Sequence, residues 1–246
     1  MSISVRIVLA AVGLAALLPT FACEEFATPA ELADTQILAV RVEPPAVSPG
    51  ERARLDILVA GPDGPVAAPT VDWEIEPATT GAALLGAIEV DGGEVYYRAP
   101  DQVAEDPSVA AVRATVQAEE RELVAVKAVG VTNLPLRNPT LSVFEADGQD
   151  LLTAEVLALA PGQEIELRID LESGVDDENL FAWYSTAGEI ERYQSNPTTL
   201  VAQEQPGDGW LMVVVRNSLG GVVWGQVPIS VAAGGASARF DERGPR

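Results

Sequence analysis

The sequence predicts an all-β chain built as two tandem β-sandwiches behind a leader and a tether, and three observations predict it. From Gln36 to Val231, short apolar stretches are punctuated by Pro, Gly, Asp and Asn, and no long stretch carries helical periodicity. Within the stretches, residues alternate. Leu55, Ile57 and Val59 face away from Arg54, Asp56 and Leu58, and Val71, Trp73 and Ile75 face away from Asp72 and Glu74. That is the pattern of an antiparallel strand with one buried and one wet face. Finally, the two halves repeat. P-G-E-R-A-R-L-D-I at 49–57 aligns with P-G-Q-E-I-E-L-R-I at 161–169, an offset of 112, and Trp73 aligns with Trp183, an offset of 110. A-V-R-A-T-V at 111–116 matches M-V-V-V-R at 212–216. A repeat of this period means two domains of roughly 100 residues each.

Residues 1–22 are expected to be a signal peptide. Arg6 is the one positive charge before an apolar run that ends at Leu18 and Pro19, with Ala22 as the small residue before Cys23. The run is about a dozen residues, short of the roughly 20 needed to span a bilayer as a helix. Residues 23–35 follow as an acidic, small-residue tether without a strand pattern, expected to be flexible.

The first sandwich is expected over 36–134, with strands at 37–42, 54–59, 71–75, 87–90, 95–98, 110–118 and 123–131. The second is expected over 135–231, with strands at 141–144, 152–159, 165–171, 180–186, 198–202, 209–216 and 221–231. Asp63-Gly64 and Asp91-Gly92-Gly93 read as hairpin turns. Tyr96 and Tyr97 are adjacent, so one points in and one out. The stretch 132–138, with Pro135, reads as the linker. Residues 232–246, small and then charged, read as a disordered tail.

Composition excludes several chemistries. The 246 residues include 37 acidic and 15 basic side chains, no histidine and one cysteine, for a formal charge of -22. Without an imidazole there is no Ser-His-Asp or Cys-His centre. Zinc sites of the Cys/His type are excluded too, and a lone cysteine leaves no disulfide within the chain. So negative a chain repels phosphate backbones, and no nucleic-acid partner is expected.

Cys23, standing directly after a small residue at the end of the apolar run, resembles the lipobox of bacterial lipoproteins. The resemblance implies that Cys23 becomes the first mature residue and carries covalent lipid, palmitate among its acyl chains. Thr20 and Phe21 depart from the usual Leu and small residue, which leaves cleavage by the ordinary signal peptidase as the alternative. Two or three acyl chains anchor a protein stably. Glu24 after the cysteine, rather than Asp, implies the outer membrane in Gram-negative lipoproteins of this kind.

V-x-P-P-x-V-x-P-G-E at 42–51, then Trp73, then Y-Y-R-A-P at 96–100, resemble bacterial Ig-like modules. With the leader, the chain resembles myxobacterial-style lipoproteins with tandem Ig-like domains. That resemblance brings no catalytic residues and implies a membrane-anchored envelope protein with an envelope protein partner. Trp73 and Trp183 are the expected core tryptophans, packed on aliphatic neighbours in place of an inter-sheet disulfide, each ring worth a few kcal/mol on burial.

Three further features are weighed. The acidic residues are scattered without the paired geometry of a glycosidase, and they read as a solvated surface, so no enzyme is expected. Asp147-Gly148-Gln149-Asp150 and Asp176-Asp177-Glu178-Asn179 are oxygen-rich enough for Ca2+. Their spacing is not that of an EF-hand, and ordinary turns are the stronger expectation. Trp210, Trp224, Tyr184 and Tyr193 cluster in the second domain, where the 210–215 stretch is apolar on both faces. They are expected either to pack against the first domain or the tether, or to form a partner or sugar-binding surface. A sugar platform requires two or more coplanar, solvent-exposed rings among the four.

Overall fold

The computed structural model describes residues 30–77, 85–105, 107–119, 121–134, 136–173 and 178–232. Cys23 with the rest of the leader, Asp176, Asp177 and the tail from 233 lie outside the described residues.

The first domain contains β1 (Gln36–Glu43), β2 (Ala46–Val47), β3 (Arg52–Gly61), β4 (Gly64–Pro65), β5 (Val71–Glu76), β6 (Ala87–Asp91), β7 (Glu94–Arg98), β8 (Ser108–Ala118) and β9 (Arg121–Val131). The second contains β10 (Leu141–Ala146), β11 (Gln149–Asp150), β12 (Leu157–Leu159), β13 (Glu164–Leu171), β14 (Leu180–Ser185), β15 (Gly188–Ile190), β16 (Thr198–Ala202), β17 (Gly207–Arg216) and β18 (Val222–Val231).

Both domains are sandwiches of the same topology. In the first, β1-β3-β7-β6 faces β2-β9-β8-β5, and in the second, β10-β13-β16-β15 faces β12-β18-β17-β14. In each, the first long strand belongs to one sheet. A short strand just after it crosses over and runs parallel to the last strand, as β2 does on β9 and β12 on β18. That is the strand arrangement of an immunoglobulin-like sandwich. Trp73 and Trp183 occupy the same strand of their respective copies, β5 and β14.

Alternation dictates the cores. In β8, Ala110, Val112, Ala114 and Val116 are buried while the residues between them face outward. The first core gathers Val42, Leu55, Tyr97, Val112 and Val129, with Trp73 half-buried against it. The second gathers Leu167, Ile169, Trp183, Leu200, Leu211 and Ile229. Trp183 is wholly buried and donates its Nε1–H to the Ser195 carbonyl at 2.9 Å. Its neighbours are not only aliphatic, since the Phe144 ring lies 6.1 Å away, tilted by 45°.

The turns follow their residues. Gly92 and Gly93 both take positive φ between β6 and β7, as a two-residue hairpin requires. Tyr97 points into the core and Tyr96 out.

Two expectations need correction. The strand expected over 152–159 exists only at β12. Asp150 accepts a hydrogen bond from Leu152 N at 2.9 Å and one from the Thr153 hydroxyl, and this side-chain competition turns the chain before a ladder forms. The flexible tether expected over 23–35 is packed from Ala30 onward. Ala30 and Leu32 are buried, Glu31 makes a β-bridge to Ser185, and Ser185 N donates to Ala30 O at 3.2 Å.

Candidate functional site

The feature that sets this molecule apart from two beads on a string is the seam between its domains. The strand β17 has two apolar faces because both are covered. Leu211, Val213 and Val215 enter the core of the second sandwich. Met212 and Val214 point the other way and are nevertheless 0% exposed. With Val222, Tyr184, Trp210 and Trp224 they pack against Leu38, Ala39, Leu58 and Ala60 of β1 and β3, and against Leu32 of the tether. The outer face of the β14–β17–β18 sheet is thus covered by the outer face of the β1–β3 edge of the first domain. Burying such side chains is worth about 25 cal/mol per Å2 of apolar surface, and Leu32, Leu38, Leu58, Met212 and Val214 are buried at the seam as fully as core residues.

Polar groups fix its register. Asn138, in the linker, donates its Nδ2–H to Val42 O at 2.7 Å and to Glu43 Oε2 at 2.6 Å, and its Oδ1 accepts from Val222 N at 2.8 Å. One side chain thereby staples the end of β1 to the start of β18. Arg216 donates to Leu38 O and Lys127 to Gly220 O, each crossing between domains. Burial, followed by the nearby Arg216 charge, pushes the Lys127 pKa down, and burial pushes that of Tyr184 up. The Arg41 guanidinium stacks on the Trp224 ring at 4.2 Å from its centroid and pairs with Asp56. Among the described residues, Arg41 Nε is a buried polar atom without a partner.

Two open grooves border the seam. One of about 630 Å3 runs past Arg41, Asp56, Trp73, Trp210 and Trp224. Another of about 570 Å3 lies on the far side of Trp210, beside Asp63, Thr186 and Asp208.

The aromatic cluster expected from the sequence is therefore divided. Trp210, Trp224 and Tyr184 pack at the seam, and Tyr193 packs on the core of the second sandwich. All four are half-buried, and Trp210 and Trp224 line the same open groove beside Arg41. Of the calcium candidates, Asp147 accepts from Glu166 N at 2.9 Å, and the Asp150 carboxylate is engaged by Leu152 and Thr153. Asp147 and Gly148 both take positive φ in the β10–β11 hairpin, so these acids serve the turn. Among the described residues, no three Asp, Glu or Cys side chains converge in a metal-binding group. Sequence reasoning missed Arg41 and Asn138, and it read Gly64 as a hairpin turn without its contact to Trp210. An Asn just before the second module was the one local signal of the staple.

No protein-family model matches the chain, and no curated protein does. Solved structures similar in arrangement include a chimeric titin Z1Z2-Z1Z2 tandem (15% identity, 81% of this chain and 100% of that one, TM-score 0.31). Fibronectin(III)-like modules of Clostridium thermocellum CbhA are also similar (12%, 86% and 99%, TM-score 0.30). So is the N-terminal Ig1-2 module of the Drosophila receptor protein tyrosine phosphatase DLAR (11%, 81% and 100%, TM-score 0.30). The fold of this chain rests on its own sheets: it is a tandem of Ig-like β-sandwiches.

Proposed function

We propose that this protein is a lipid-anchored component of the bacterial cell envelope, of the outer membrane, that presents two Ig-like modules as one stiff unit for spacing or protein–protein contact. The observation that carries this reading is the buried apolar seam. Independent tandem modules meet through small polar interfaces and move freely, whereas here Met212, Val214, Leu38 and Leu58 are buried between the domains. A stiff pair holds a contact surface at a set height and angle, which is what a spacer or docking module requires.

The anchor assignment rests on Cys23, the one cysteine of the chain, at the end of an apolar leader. Seven residue steps separate it from Ala30, which is already fixed in the second sandwich. An extended chain covers at most about 25 Å over that distance. An anchor at Cys23 therefore holds the pair close to the lipid surface rather than on a long stalk. Membrane fractionation of a Cys23→Ala variant tests the anchor. Release into the soluble fraction is expected, and persistent membrane association contradicts it.

A further inference from the structure

We propose that the outer face of the β5–β8–β9 sheet of the first sandwich is a docking surface for a protein partner whose contact patch is apolar at its centre and basic at its rim. This inference rests on the reading of the chain as an interaction module and supplies that reading with its contact face.

The two sandwiches are copies, so their faces correspond strand by strand. Trp73 pairs with Ala114 as Trp183 pairs with Val213. The outer face next to Trp183, on β14, β17 and β18, is the one the seam covers. The corresponding face of the first sandwich, on β5, β8 and β9, is uncovered among the described residues. Its register sets Val109 opposite Gly130, Ala111 opposite Ala128, Arg113 opposite Val126 and Thr115 opposite Val124. Val109, Val124 and Val126 are 56%, 43% and 54% exposed. Val124, Val126 and Ala128 on β9, with Val109 and Ala111 on β8, form an apolar strip on a sheet face, where solvated strands carry polar residues, and Thr115 and Arg113 border it on β8. The strip also reaches a sheet edge that is open among the described residues, because β2 pairs only with Gly130 and Val131 of β9.

The flanking charge defines the occupant. On β5, Asp72 and Glu74 stand opposite Thr115 and Arg113. In the second copy the same positions are Ala182 and Tyr184, opposite Val214 and Met212. The covered face is therefore apolar at the row where the uncovered face is acidic. Glu122 adds a carboxylate at the end of the strip, and Arg113 is already paired with Glu76. A second copy of this chain is a poor fit. Repeating the seam contact between copies would bring up the outer face of the second sandwich, which carries Glu145, Glu164, Glu166 and Asp170, with Arg168 paired to Glu145 and Asp170. Like charges would then face each other, which costs several kcal/mol. A partner with Lys or Arg flanking an apolar centre satisfies both features.

The test is a photo-crosslinking amino acid placed at position 126 of the full chain in the cells that make it. A control at position 199 probes the half-buried outer side of β16. The expected result is one discrete adduct with a different protein at 126 and none at 199, with the mapped contact carrying basic residues beside apolar ones. Reversing Asp72→Lys and Glu74→Lys together, both exposed, lowers adduct yield about tenfold without moving the unfolding midpoint. No adduct at 126, an adduct with a second copy, a contact lacking basic residues, or indifference to the charge reversal overturns the proposal. Repeating the labelling at position 124 keeps the test valid if labelling at 126 unfolds the chain. The anchor is read separately, by fractionation of Cys23→Ala, so either claim can fail alone.

Discussion

Gly64 of the first sandwich lies directly under the indole of Trp210 in the second. Its φ is +99°, and a Cβ built there would collide with the ring at Cδ1, Nε1 and Cγ. A glycine is required on both counts, backbone and space. The turn at Pro62–Gly64, which closes the β3–β4 hairpin, is thus shaped by a residue from another domain.

Replacing Gly64 with Val forces the Trp210 ring away. We expect the seam to open at a cost of about 1–3 kcal/mol while each sandwich stays folded. Denaturant unfolding followed by tryptophan fluorescence should show a lowered midpoint, and the one cooperative transition expected of the parent chain should split in two.

Asn138→Ala removes three hydrogen bonds at once and leaves Val42 O and Val222 N without their partner. A loss of about 1–3 kcal/mol is expected, together with faster amide exchange at Val222. Unchanged exchange there would mean that the linker side chain holds nothing.

Leu32→Ala empties a buried position between tether and seam, at an expected cost of about 2 kcal/mol or more. Limited proteolysis should then cut after residue 30 far faster than in the parent chain.

Tyr97 supplies a pH test. Burial raises its pKa from 10.0 to about 12, and its hydroxyl donates to Leu85 O at 3.1 Å. The neutral form is the one the fold holds, so the stabilisation is complete below pH 10 and is lost as pH rises from 10 towards 12. At about 1.4 kcal/mol per unit the upper bound is about 3 kcal/mol. Tyr97→Phe should flatten the stability profile in that window while costing about 1 kcal/mol at neutral pH.

Much of this fold is legible in the sequence, because strands with one wet face write their own alternation. Trp73 and Trp183, with the two P-G turns, mark the copies. The double apolar face of 210–215 signals a covered outer surface, though not which surface covers it. The matching face on β1 is obscured by a bulge between Ile37 and Ala39, which puts the neighbours Leu38 and Ala39 both at the seam and breaks the alternation. The two- and three-residue strands β2, β4, β11, β12 and β15 are too short to carry a period. The packing of Ala30 and Leu32 is a tertiary effect that composition cannot reveal. For the candidate site, the aromatic residues are visible in the sequence but their packing is not, since Trp210, Trp224 and Tyr184 join the seam while Tyr193 packs on the core of the second sandwich.

The stiffness of the pair is tested most directly by spin-label distances between positions 115 and 199, introduced as cysteines in a Cys23→Ala background. The account predicts one narrow distance distribution that broadens in Gly64→Val. A broad distribution in the parent chain, unchanged by that substitution, would contradict it.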